Sequence, residues 1–265
     1  MTVRFMRLFV LVLVVAAFFG FATAALPVEK AAQDGNPLLV GVTPDFPPLV
    51  FRQDDQIVGI EVELARMLGE ELGRPVKFIQ LKWEEQIPAL LNNKTDIIMS
   101  SMTTTRERQV RIAFTEPFMK SGLVAAVRPE NVRKYPTAES VIDFAGLVGI
   151  VPNTTSDSFV KKNFPFAQQS YLSSPRQAVS ELGVGRIEMF IGDAPTVIWL
   201  VSENESSIAG IWLPLNEEYF AWGIRKEDHN LLARVNIALA QFRKDGRLNM
   251  VLNKWLPKQY LEKMK

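Results

Sequence analysis

Charged and hydroxyl side chains gather where short apolar runs end. Ser101 and Thr103 follow the run at 96–100, and Arg106, Arg108 and Arg111 come directly after them. A guanidinium is planar, permanently charged and able to pair both oxygens of a carboxylate at once. For any single arginine the ordinary alternative is a charge on a solvated helix face. Thr154 and Thr155 follow a second such run at 146–151, and Asp193 follows a third at 187–191, directly after Gly192. Hydroxyls and carboxylates at these places either cap the next helix or face a ligand, and for Ser and Thr the two roles use different atoms. Phe46 and Trp83 stand at junctions between elements. An aromatic ring there is either core or a flat wall suited to an apolar, amide or cationic group. Such an inventory serves non-covalent recognition. The chain has no Cys and a single His, His229. Thiolate zinc sites, iron–sulfur clusters, Cys nucleophiles and most His-based metal sites and triads are thereby excluded, and no metal or other cofactor is expected.

The apolar runs read as strands and the segments between them as helices. Residues 38–42 form a short run of strand type. Pro44, Pro47 and Pro48 remove ladder donors, so 43–48 reads as a loop at the end of that strand. Ile60, Leu64, Met67, Leu68 and Leu72 recur with helical period, and Gly73 and Pro75 stop the helix. A strand at 76–81, a helix at 83–91 and a strand at 96–99 complete an alternation that implies a parallel α/β sheet. A second series places strands at 146–151, 170–172 and 187–191, with helices at 155–163, 175–182 and 194–201. The linker between the series is 128–131. The chain closes with a strand-like run at 219–224, an amphipathic helix over 228–243 and a short helix carrying Val251, Leu252 and Trp255. Open α/β sheets bind ligands in the crevice outside the carboxyl ends of their strands, where Ser101, Thr103 and Asp193 fall.

The 265 residues suit one large domain or two ordinary ones, and a 48% hydrophobic content is enough to bury a core. With 30 Lys+Arg against 29 Asp+Glu, nucleic acid is not expected as a partner, because neutralising phosphates needs a basic excess. Arg4 and Arg7 precede an apolar run at 8–19 that ends in Ala22-Thr23-Ala24. This is the layout of a secretory signal peptide cleaved after Ala24, and the run is short of the about 20 residues that span a bilayer. Residues 25–36 read as a flexible leader. Export without disulfides fits a bacterial periplasm.

The segment DIIMSSMTTTRERQVRIAFTEPFMKSG at 96–122 resembles the signature of the bacterial extracellular solute-binding proteins that feed amino-acid ABC transporters. The resemblance extends through GVTPDFPPLVF, VGIEVELARML, EEQIPALLNNKTDIIMSS, GIVPNTTSDSF, GRIEMFIGD and GIRKEDHNLLARVNIALAQFRKDGRLNMVLNKW, in that order. It implies a two-lobed α/β fold of the type II periplasmic-binding kind, each lobe a mostly parallel sheet flanked by helices. Lobe one would take 37–127 and 222–265 and lobe two 128–221, with a two-strand hinge crossing near Val127 and near Trp222 and closing around the ligand. By the same resemblance Arg108 grips the ligand α-carboxylate, Thr103 touches its charged head, and Ser101 offers a carbonyl to the ammonium and a hydroxyl to either end. Asp193 pairs with the ammonium. Thr154 and Thr155 add a carboxylate contact from the other lobe, and Phe46 and Trp83 wall the side chain. The implied partners are an amino acid and a membrane ABC permease, with the protein itself a monomer. Members that prefer Lys, Arg or His often carry an Asp where this chain has Thr43, which tilts the expectation toward a polar neutral or aromatic amino acid.

Some dehydratases acting on prephenate or arogenate resemble the same family. That alternative needs a general acid over the cyclohexadienyl ring, for which Asp45, Glu61 and Glu84 are candidates by type.

Overall fold

The computed structural model describes residues 35–258. The expected signal peptide at 1–24, all but the last two residues of the expected leader, and residues 259–265 lie outside the described residues. Among the described residues no helix is long and apolar enough to cross a membrane.

Two five-stranded sheets organise the chain. In the first, the order is Val76–Gln80, Leu38–Val42, Ile97–Ile98, Gly223–Ile224, Ala113–Phe114. In the second it is Gln168–Tyr171, Leu147–Ile150, Met189–Asp193, Leu123–Val127, Ala209–Ile211. The first three strands of each sheet run parallel, as the alternating series requires. The remaining ladders are antiparallel, because segments on either side of a crossing between the sheets feed them. The parallel part is therefore confined to three strands of each sheet.

Strand periodicity explains the layers. Ile97 belongs to the large core under helices Ile60–Leu72 and His229–Lys244, and its neighbour Ile98 to a small core with Leu90, Met102 and Ile112 on the opposite face. In Leu123–Val127 the odd residues pack with Val148 and Ile150, the even ones with Leu182 and Val197. The C-terminal helices His229–Lys244 and Arg247–Trp255 bury Val235, Leu239, Phe242 and Val251 in the first core, so the chain's end returns to the sheet where it began.

Helix Ile60–Leu72 begins at Gly59, whose φ of 124° and backbone neighbours exclude a side chain: a Cβ would lie 2.5 Å from the Leu49 carbonyl oxygen. It ends at Gly73 in the left-handed conformation, whose N–H reaches the Glu70 carbonyl.

Three sequence expectations shift. The segment 43–48, read as loop, contains a two-residue strand, Asp45–Phe46, that opens a small meander with Val50–Gln53 and Gln56–Val58. The flanking prolines confine it to an edge. The run at 219–224 is two strands, Glu218–Phe220 and Gly223–Ile224, serving different sheets. The crossings also fall earlier than near Val127 and Trp222. Leu123–Val127 is already a strand of the second sheet, and Trp222 is buried in the first core. Between the sheets, Met119–Ser121 and Glu218–Phe220 pair antiparallel.

Candidate functional site

The parallel strands of the first sheet end at a strap of hydrogen bonds around Thr43. Its N–H donates to Ser100 Oγ at 2.8 Å, its hydroxyl donates to the Leu81 carbonyl at 3.0 Å, and it accepts from Gln86 Nε2 at 2.9 Å. The chain then turns sharply. Ser101 has φ 54°, a left-handed conformation that costs a non-glycine residue energy, and its N–H is held by both carboxylate oxygens of Glu61 at 3.0 and 3.1 Å. Glu61 lies on helix Ile60–Leu72 and is 1% exposed. The Ser101 hydroxyl is buried without a protein partner.

Burial pushes the Glu61 carboxyl up to about 8, against the opposing pull of the Ser101 N–H. The folded chain thus keeps a proton that the unfolded chain releases above about 4.5. Stability falls with rising pH between those two values, by up to about 1.4 kcal/mol per unit. Glu61→Gln cannot ionise and is expected to flatten this decline, so its melting midpoint gains on the wild type at pH 8 relative to pH 5. Parallel declines in the two proteins would show that Glu61 does not carry the proton.

Of the three arginines, Arg106 and Arg111 are exposed and Arg108 is half-buried. Helix Arg106–Arg111, capped by the Thr105 hydroxyl, is six residues long. It presents Arg108 inward, where Nη1 donates to the Thr103 carbonyl at 2.8 Å and the guanidinium carbon stands 5.1 Å from the Trp83 ring centroid. Trp83 in turn tilts against Phe46 at 5.9 Å, and Phe46 is buried. Burial depresses the Arg108 pKa, and the neighbouring carboxylates of Glu218, Asp193 and Glu107 oppose that.

From the second sheet, Asp193 stands at the N-cap position of helix Ala194–Glu203, yet its side chain makes no capping hydrogen bond. Its Oδ1 is buried with no partner. Burial first, then the charge of Glu218, raises its carboxyl well above the ordinary range, while Arg108 pulls it down. Thr154 behaves differently: its hydroxyl caps helix Thr155–Asn163 by accepting the Asp157 N–H at 3.4 Å and donates to the Val151 carbonyl at 2.7 Å. Thr155 uses its hydroxyl on Glu218 Oε2 at 3.0 Å.

Both halves of the chain meet here. Trp83 Nε1 donates to the Asn153 carbonyl at 2.8 Å, and Asn153 is the left-handed residue (φ 61°) before the Thr154 cap. Phe51 of the meander packs on Trp199 of helix Ala194–Glu203 at 5.4 Å and on Trp255 at 5.7 Å. Arg108, Thr103, Ser101, Trp83 and Phe46 thus come from the first half and Asp193, Thr154 and Thr155 from the second.

Glu218 is the residue that the sequence reading missed. It is buried, on the second crossing strand, and its Oε2 accepts the hydroxyls of Thr103 at 2.9 Å and Thr155 at 3.0 Å. Its other oxygen accepts Asn216 Nδ2 at 2.9 Å, and Asn216 Oδ1 accepts the Leu123 N–H at 2.7 Å. A signal was available: Glu218 shares strand parity with buried Phe220, whereas Tyr219 faces out. Among the described residues no group of three or more His, Asp and Glu is placed to hold a metal ion.

Residues 38–258 match the sequence pattern of the bacterial extracellular solute-binding proteins, family 3. The L-cystine-binding protein TcyJ of Escherichia coli K12 is 28% identical over 229 residues, 86% of this chain and 85% of that protein. Among solved structures, the ancestral amino-acid-binding protein AncCDT-1, a precursor of cyclohexadienyl dehydratase, superposes with a TM-score of 0.78 at 31% identity, over 84% of this chain and 96% of the other. A binding component of an ABC transporter from Wolinella succinogenes, solved with lysine, gives a TM-score of 0.80 at 26% identity, over 86% and 99%.

Proposed function

The chain belongs to the bacterial extracellular solute-binding proteins of family 3, and from that premise we propose that it captures one amino acid between its two lobes and hands it to a membrane ABC permease. What supports the reading is a convergence of both sheets: Thr103, whose carbonyl holds Arg108, and Thr155 share Glu218 Oε2, while Asp193, at the end of a strand of the second sheet, keeps a buried oxygen without a partner. A zwitterion matches Arg108 and Asp193: its carboxylate takes the guanidinium fork and its ammonium takes the unpartnered Asp193 oxygen. Each lobe then holds one end of the ligand, and the differential affinity of the closed state follows. The paired strands Met119–Ser121 and Glu218–Phe220 serve as the hinge.

Thr103 and Ser101 line the head group, with Phe46 and Trp83 flanking the side chain. Because the Thr154 hydroxyl is spent on its cap and that of Thr155 on Glu218, the second lobe would reach the carboxylate through backbone N–H groups at the start of helix Thr155–Asn163. The Thr43 hydroxyl is committed to Leu81 and the side chain of Gln86, so this position offers no acid to a cationic side chain. Delivery takes place in the periplasm, after removal of the signal peptide.

A binding role without chemistry is the reading we favour over a dehydratase. Asp45 and Glu84 are exposed, and Glu61 is sealed behind Ser101, so none of the three candidates is presented to a bound ring as a general acid. Thermal unfolding of the mature protein against the common L-amino acids, cystine, arogenate and prephenate tests both. A ligand at 100 times its dissociation constant adds about 2.7 kcal/mol, which, at about 2–4 °C per kcal/mol for a chain of this size, raises the midpoint by roughly 5–10 °C. Shifts with one or a few amino acids are expected. Turnover of arogenate or prephenate would reverse the assignment.

A further inference from the structure

The two threonines that face each other across the cleft do not keep their hydroxyl protons for a ligand. A hydroxyl has one proton to give and two lone pairs. Thr103 comes from the first lobe and Thr155 from the second, and both donate to the same oxygen, Glu218 Oε2, at 2.9 and 3.0 Å. What remains on each is an acceptor. The unpartnered Oδ1 of Asp193 is a third, supplied by the second lobe.

Resting on the amino-acid-binding reading, we propose that Glu218 is a positioning residue that sets the polarity of the head-group site, turning Thr103 and Thr155 into acceptors so that the cleft selects ligands bringing an ammonium group. Glu218 is built for the task. It is 6% exposed, its strand is paired to Met119–Ser121 through the Ser121–Glu218 register, and its free oxygen is held by Asn216, which is itself held by the Leu123 N–H. The carboxylate cannot swing away without breaking that chain of bonds. A ligand with a hydroxyl in place of the ammonium could donate to only one of these acceptors, and one with hydrogen to none, leaving the rest unmet, a penalty that sites built around a donor impose on analogues lacking it. Arg108 makes no hydrogen bond to Glu218 but feels its charge; an amino acid and its des-amino analogue share the carboxylate, so that influence falls on both ligands of a pair alike.

The test compares each common L-amino acid, and cystine, with the acid that carries hydrogen in place of the α-ammonium, by titration calorimetry on the mature protein and on Glu218→Gln. The glutamine keeps one acceptor oxygen but loses the charge, and its amide can donate to a threonine hydroxyl. Amino-acid affinity is expected to fall at least about tenfold in the variant, while the des-amino acids bind no worse than before, so discrimination shrinks by the same factor. Thr155→Val, which preserves shape and leaves the Thr103 bond to Glu218, gives a smaller loss in the same direction and serves as the second variant if Glu218→Gln does not fold. Discrimination equal to wild type in the folded variants would overturn the role of Glu218 and leave the amino-acid reading standing. A wild-type protein that binds no amino acid on the panel would overturn both.

Discussion

Arg108→Ala is expected to abolish amino-acid capture while leaving the fold in place. Removing one partner of a desolvated charge pair costs about 2–5 kcal/mol, on the order of 30- to 5,000-fold in dissociation constant. The same substitution deletes the stacking on Trp83 and the bond to the Thr103 carbonyl, which hold the arginine ready before any ligand arrives. The fold should survive because Arg108 sits on a short surface helix outside the hydrophobic cores. Titration calorimetry and thermal melting of the same sample separate the two effects. A folded variant with wild-type affinity would show that the carboxylate is held elsewhere. Lysine at this position should recover only part of the loss, since an ammonium cannot fork across two oxygens.

Asp193→Asn should move binding and stability in opposite directions. The ammonium of the ligand loses its buried counter-charge, again about 2–5 kcal/mol of affinity. The ligand-free protein, however, is relieved of a carboxylate that pays for its burial and for its nearness to Glu218. The sign follows from proton linkage. With its folded pKa raised, Asp193 binds more protons in the native than in the unfolded state, so wild-type stability declines as pH climbs through and above the ordinary carboxylate range. Asparagine cannot take part in that decline. At neutral pH the unliganded variant is therefore expected to melt at or above the wild-type temperature, with a flatter pH profile. A variant that melts lower and binds normally would make Asp193 a helix cap and nothing more. Strain or uncompensated charge kept at a site for function is a common reason for such a trade between stability and activity.

Much of the architecture can be read from local pattern. The helical stripe from Ile60 to Leu72, the stop at Gly73 and the boundaries of Thr155–Asn163 follow from spacing and capping chemistry that need no distant partner. Two-residue strands such as Asp45–Phe46 and Ile97–Ile98 are harder to bound, because so short a ladder is defined by its neighbours. The split of 219–224 into two strands has the same cause: Phe220 and Ile224 look alike to a propensity argument, but they pair with Met119 and with Ile97 and Ala113.

For the site, residue types and their spacing dictate which chemistries are available and where strands present them: no thiol, one imidazole, hydroxyls and Asp193 at strand ends, and three arginines in one short segment. Spacing alone does not choose among those arginines, although the family resemblance points to Arg108. Arg106 and Arg111 differ from Arg108 only in the direction that a six-residue helix turns them, and burial against Trp83 is what singles one out. The cap reading of Asp193 was equally open until the side chain proved to make no cap bond. Tertiary structure alone decided the part played by Glu218. It lies 115 residues from Thr103 and 63 from Thr155 along the chain. A hydroxyl's single proton goes to whichever acceptor the fold brings within reach, and no periodicity or local spacing encodes a contact that exists only when two lobes and the strand between them converge.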